Sequence, residues 1–218
     1  MADEEPRGGP GPRQRVVGRA LNATVARAPA LWPLLRPWIR RFFDDRAKGW
    51  DERTGAGSVS HLAPIAAASL HVKPAPERIL DLGTGTGEAA LFLAREFPRA
   101  SVRGVDISES MVRVAQGKVG LDPEGRVAFR VADASDLPFE EESFDLVAQL
   151  NMPPFFAETA RILRPGGFVI IASSFGPETP FYTAEAVLEH GFRRRGVARF
   201  ADGEAGTGTY WVGRKRRE

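Results

Sequence analysis

The sequence predicts an α/β fold in which a doubly wound, mostly parallel sheet carries helices on both faces. Three observations predict it. From Arg78 onward, short apolar strand signals alternate with stretches of helical spacing. Phe168 to Ser173 is apolar at consecutive positions, as buried parallel strands are. A glycine-rich run, Gly83 to Gly87, joins the first strand of this region to its first helix.

The elements follow in order. Residues 1–14 are rich in Gly, Pro and charge and read as a disordered tail. Residues 15–49 form a helical arm whose apolar pattern is interrupted by Pro29, Pro33 and Pro37, so short helices are expected. The favoured reading lays these helices on the domain or over its active site. The disfavoured one puts Trp32, Trp38 and the neighbouring arginines at an anionic membrane surface, and three prolines in nine residues argue against a continuous interfacial helix.

Residues 50–218 are the main domain. Its strands are Ile79 to Leu82, Val102 to Asp106, Val127 to Val131, Phe144 to Leu150, Phe168 to Ser173, one near Val197 and Tyr210 to Val212. Helices are expected over Glu88 to Phe97, around Met111 to Val119, over Phe156 to Leu163, and from a Thr183 cap to His190 with Gly191 as its stop. Ligands of such sheets bind at the carboxyl ends of the strands.

Composition narrows the chemistry. Hydrophobic residues make up 43% and charged residues 27%, which suits a single globular core. With no cysteine there is no disulfide, no thiol nucleophile and no cysteine-held metal. No metal site is expected. The apolar stretches, such as Leu62 to Val72, are too short to span a bilayer, and the N-terminus carries no secretory pattern, so the expected location is cytoplasmic. Arginines crowd both ends of a chain of net charge +2; they read as solvated faces rather than as a nucleic-acid surface.

The strongest motif is Asp81-Leu82-Gly83-Thr84-Gly85-Thr86-Gly87. Glycines at alternate positions let backbone turn sharply and approach a ligand closely. A dinucleotide fingerprint would need glycine at 88, where this chain has Glu88, and a carboxylate there repels pyrophosphate. Together with Asp81 it favours a ligand bearing an ammonium group. No Gly-Lys-Ser/Thr follows, so this is not a P-loop, and a Tyr-x-x-x-Lys pair is also missing.

These residues resemble the class I, Rossmann-like S-adenosylmethionine methyltransferase family, and the likeness covers roughly Trp50 to the C-terminus. It implies a seven-stranded sheet with a C-terminal antiparallel strand, and S-adenosyl-L-methionine as cofactor. Asp81 would hold the methionine part, with Gly83, Thr84, Gly85 and Gly87 packed against it. Asp106 would accept from the ribose hydroxyls. Asp133 would accept from the adenine amino group beside the Ala134 amide, and Ile107, Met111 and Leu150 would be apolar neighbours. Arg161 to Gly167, ending in Pro-Gly-Gly, has the family's order, and Phe43 to Asp51 resembles the entry segment of the quinone-related small-molecule members, where an aromatic near Trp50 covers the cofactor.

The expected activity is in-line methyl transfer to a small-molecule acceptor, in which alignment supplies much of the catalysis. The alternative is a non-catalytic cofactor-binding sensor or partner subunit. The catalytic residue is unknown. Among the histidines His61 is the better candidate base, since His71 and His190 read as surface or capping residues. Asn151-Met152-Pro153-Pro154-Phe155 departs by Met152 from the amine-holding pattern of amino-methylating members and reads as a pocket wall. Ser174 to Tyr182 would supply the opposite wall. The acceptor atom stays open, and the assembly is expected to be a monomer or homodimer.

Overall fold

The computed structural model describes residues 10–217. The expected tail therefore lies outside the described residues up to position 9. Its last three residues are not a tail, because Pro12, Arg13 and Gln14 form the first turn of helix α1, Pro12–Arg27. Proline suits that place, where an amide would lack a helical partner in any case. A 3-10 turn at Pro29–Leu31 leads into α2, Trp32–Asp44, and a short α3 spans Trp50–Thr54.

Pro37 lies inside α2 without ending it. Its ring removes one donor, but Pro33, four residues back, and Pro37 both sit on the exposed side, where water can satisfy the freed carbonyl. The arm is thus two helices, and the second is continuous.

The domain follows as α4 (Val59–Ser69), β1 (Arg78–Leu82), α5 (Glu88–Glu96), β2 (Ser101–Asp106), α6 (Glu109–Gly117), β3 (Val127–Val131), β4 (Phe144–Leu150), α7 (Phe156–Ile162), β5 (Leu163–Ser173), α8 (Glu185–Arg193), β6 (Val197–Ala205) and β7 (Gly208–Lys215). The seven strands lie in the order β3-β2-β1-β4-β5-β7-β6. The first five are parallel, and β7 runs antiparallel to both β5 and β6. This is the doubly wound sheet that the strand-helix alternation predicts.

Two details differ from expectation. The helix expected to reach Leu163 stops at Ile162, because the chain is already paired with β4 from Leu163 onward. The helix expected between Thr183 and His190 begins at Glu185 and runs on to Arg193. Gly191 is inside it rather than its stop, since a Cβ there would lie 2.6 Å from the Phe156 ring. Thr183 instead turns inward and accepts a hydrogen bond from Asn22 of α1 at 2.8 Å.

Each face of the sheet buries its own core. On one face α4, α5 and α6 pack Ile65, Leu93 and Val112 against Ile79, Val102 and Leu146. On the other, α7 and α8 join Val25, Trp32 and Ile39 of the arm over Leu80, Leu82, Val147 and Trp211. The arm therefore belongs to the core of one face. Burial of these side chains, about 1.5–3 kcal/mol each, holds it against the domain.

Candidate functional site

The sheet order brings the ends of β3, β2 and β1 side by side, and with them Asp133, Asp106 and Asp81. The loop after β1 has left-handed glycines at 83, 85 and 87, with φ of 72°, 53° and 87°. The amides of Gly83 and Thr84 both donate to the Val105 carbonyl at 2.9 Å, which ties the loop to β2. Beside Gly85 there is open space, because an added Cβ would meet nothing within 4 Å.

Asp81 is 1% exposed. Its carboxylate accepts the Thr84 hydroxyl at 2.6 Å, and no basic side chain among the described residues pairs with it. Burial pushes its pKa up to about 7, against the opposing effect of the Thr84 and Ala90 hydrogen bonds, and nearby Asp106 adds to the rise. Asp106 is aimed by two backbone donors, Gly85 at 2.9 Å and Ser108 at 2.9 Å. Burial likewise raises its pKa. A buried and a half-buried carboxylate without a cation form a site for a positively charged or multiply donating ligand.

Asp133 is held differently. Its Oδ1 accepts from the Trp32 indole at 2.8 Å and from the Ser135 amide at 2.9 Å, while Oδ2 accepts from Arg36 at 3.1 Å. Burial opposes its charge, but the bonds from Ser135, Trp32 and Arg36 outweigh that and hold its pKa below the usual range. Trp32 also meets Phe155 edge to face at 5.1 Å. Farther along α2, Asp44 accepts from the Ser108 hydroxyl at 2.7 Å and the Ser110 amide at 3.1 Å. The arm thus crosses the carboxyl ends of β2 and β3.

The remaining candidates fall around this group. Met111 is fully buried, and Ala134 is buried at 9% exposure. Ile107 packs on the arm-side core and Leu150 on the opposite one, so these two do not share a wall. Met152 of the Asn-Met-Pro-Pro-Phe segment seats its sulfur over Gly83, 2.4 Å from where a Cβ would be. Phe43 and Trp50 stack edge to face at 5.6 Å.

Glu88, the residue that excludes a dinucleotide loop, shares one cation with a second carboxylate. Lys118 reaches Glu88 at 2.7 Å and Asp51 at 2.5 Å, and the Thr86 hydroxyl donates to Asp51 at 2.5 Å. Lys118 is not picked out by the sequence reading, and Asp51 enters it only as the last residue of the entry segment.

A second cluster lies where β4 and β5 end. Asn151 has φ of 57°, a left-handed conformation that asparagine tolerates better than most residues. Its Oδ1 accepts the Ser174 amide at 2.8 Å, which fixes the other end of the amide as the donor. That Nδ2 faces Ser174 Oγ at 3.0 Å and His61 Nε2 at 3.4 Å, while Ser174 Oγ donates to the His61 carbonyl at 2.8 Å. With a donor facing Nε2, the neutral imidazole carries its proton on Nδ1. Nδ1 is buried without a partner among the described residues. Burial lowers the His61 pKa, with Glu88 and Asp51 opposing. The candidate base is therefore arranged as a neutral donor. A cleft of about 210 Å³, which His61 does not line, is bordered by Ser173, Tyr182, Thr209, Tyr210 and Trp211. Tyr182 there comes from the segment expected to form the wall.

Comparison with known proteins agrees with this fold. Residues 79–167 match the family model described as a methyltransferase domain. The methyltransferase GfsG of Streptomyces halstedii is 38% identical over 133 residues, 57% of this chain and 47% of that protein. The malonyl-[acyl-carrier protein] O-methyltransferase of Methylococcus capsulatus is 34% identical over 165 residues, 67% of this chain and 58% of that one. The chain spans about half the length of the curated relatives it matches. A chain from the Haloferax volcanii complex of the Trm112 methyltransferase activator with a methyltransferase superposes with a TM-score of 0.64 at 22% identity, over 80% of this chain and 98% of that chain. At that identity the superposition speaks for the fold. With the motif order, the strand order and the family match in agreement, the chain carries a methyltransferase domain over residues 79–167, on the fold of the class I S-adenosylmethionine-dependent methyltransferases.

Proposed function

We propose that the chain is a cytoplasmic enzyme that transfers a methyl group from S-adenosylmethionine to a small-molecule acceptor. The observation that carries this reading is the buried Asp81 carboxylate, without a cation among the described residues, under a loop that leaves open space at Gly85. When bound, the cofactor would supply an electrophilic sulfonium methyl for in-line transfer to the acceptor, with S-adenosylhomocysteine as the leaving group.

The chain's own residues bind and orient. Asp81 would accept from the ammonium of the methionine part. Asp106, aimed by Gly85 and Ser108, keeps lone pairs for two ribose hydroxyls. The Ala134 amide and Asp133 would meet the adenine edge, with Trp32 sharing or ceding its bond to Asp133. Ile107, Met111 and Leu150 would supply apolar surface. The malonyl-carrier relative favours an acceptor presented as a small group.

The test is incubation of the purified chain with methyl-labelled S-adenosylmethionine and a panel of enols, phenols, carboxylic acids and amines. Labelled product with matching S-adenosylhomocysteine is expected for at least one class. Tight cofactor binding with no product from any class would favour the non-catalytic reading instead.

In the same reading His61 donates from Nδ1 to an oxygen of the acceptor. His61→Ala is then expected to raise the acceptor KM about tenfold, the worth of one neutral hydrogen bond, with cofactor affinity unchanged. A KM equal to wild type would remove His61 from the acceptor site.

A further inference from the structure

The arm has a second flank that the domain does not use. Around α2, Trp32 and Ile39 are buried at 5% and 7% exposure. Leu31, Leu34 and Trp38 are exposed at 47%, 78% and 59%, and they recur at the three-to-four spacing of a helical stripe. Trp38 stacks on the half-buried Phe42 at 5.9 Å, so the stripe extends for another turn. Exposed large apolar residues are concentrated here: Val16, Val17, Leu31, Leu34 and Trp38 all lie in the arm, and they are five of the ten such residues described.

Charge points to what meets this stripe. Residues 12–49 hold eight arginines and one lysine against two aspartates, a formal +7 in a chain whose total is +2. The remainder is therefore net negative. Arg27 is exposed and makes no ion pair among the described residues, and Arg41, 84% exposed, reaches Asp45 only at 3.9 Å. A second copy of the arm would bring like charge against like charge. A nucleic acid would answer the arginines but not the apolar stripe. An anionic bilayer answers both, with tryptophan at the headgroup level and arginines on the lipid phosphates. No helix among the described residues is long and apolar enough to cross a membrane, so the helix would lie on the surface.

We infer that α2 seats the chain on an anionic lipid surface through Leu31, Leu34 and Trp38, flanked by Arg27 and Arg41. Of the prolines that argue against this from sequence, Pro29 lies before α2, Pro33 in its first turn, and Pro37 inside it without interrupting it. The inference is independent of the methyl-transfer reading, but it has a consequence for it. The same helix covers Asp133 on its inner flank, so docking brings the mouth of the candidate site close to the bilayer.

The experiment is co-sedimentation of the full chain with phosphatidylcholine vesicles and with vesicles one quarter phosphatidylglycerol. Binding is expected to the anionic vesicles only, weakened by salt, and reduced about tenfold or more in the double variant Leu34→Glu, Trp38→Glu. Both positions are exposed, so that variant should keep its circular dichroism and melting temperature. Val59→Glu, exposed at 89% on α4, should bind as wild type does. Absence of binding to anionic vesicles, or equal binding by the double variant, would overturn the inference. So would a dimer in sedimentation velocity that the double variant dissociates, since the stripe would then be covered by a second copy.

Discussion

Replacing Asp81 by alanine is expected to weaken S-adenosylmethionine binding by about thirtyfold or more, because truncating one member of a buried, hydrogen-bonded charge pair costs about 2–5 kcal/mol. Asp81→Asn keeps the shape and tests the charge alone. In the wild type, burial raises the Asp81 pKa to about 7. A cationic ligand selects the ionised form, so affinity should rise with pH, by about tenfold between pH 5.5 and 7, with a proton released on binding. Calorimetry in buffers of different ionisation enthalpy reads that proton. The asparagine variant should bind weakly with no such slope. If wild-type affinity is flat across this range, Asp81 does not carry the cation.

The same shift has an opposite sign for the ligand-free fold. Its folded pKa lies above the unfolded carboxyl value of 3.8. Between those two values the folded state therefore holds more protons than the unfolded one. The Asp81 contribution to stability is full below about pH 4 and declines as the pH rises toward 7. Ligand binding should oppose that decline.

The second large effect is on stability. Gly87 has φ of 87°, and a Cβ there would lie 2.9 Å from both Ala115 Cβ and Phe129 Cζ, neither of which is the end of a flexible chain. Gly87→Ala should cost about 2–4 kcal/mol, combining a left-handed penalty with overpacking. Gly85 is the control. Its φ is 53°, but an added Cβ meets nothing within 4 Å. Gly85→Ala should therefore lose only about 1–2 kcal/mol of stability while placing a methyl in the space assigned to the cofactor. Urea unfolding and cofactor titration on both variants separate the cases. Equal stability losses would mean that the loop is not packed on α6 and β3 as described.

Much of this site is legible in the sequence for a definite reason. β1, β2 and β4 are short buried strands whose apolar runs cannot be solvated, so their ends, and hence Asp81 and Asp106, are fixed by local composition. The loop glycines announce left-handed backbone directly. What is not legible is what meets those ends from elsewhere. Trp32 and Arg36 reach Asp133 across 101 and 97 residues, and Asp44 reaches Ser108 across 64. No local pattern records such distances. Pro37 misleads for a related reason: its cost depends on whether the freed carbonyl faces water, which only the docked orientation of α2 decides. The shift of the last helix has the same origin, since Phe156 and not a turn requires glycine at 191.

In the proposed function the cofactor binds where β1, β2 and β3 end, beneath the arm. Hydrogen–deuterium exchange of the full chain with and without S-adenosylhomocysteine tests it most directly. Added protection is expected at residues 81–88, 106–111 and 132–135, together with the arm from Trp32 to Asp44. Protection confined to other segments, or none at a saturating concentration confirmed by calorimetry, would contradict it.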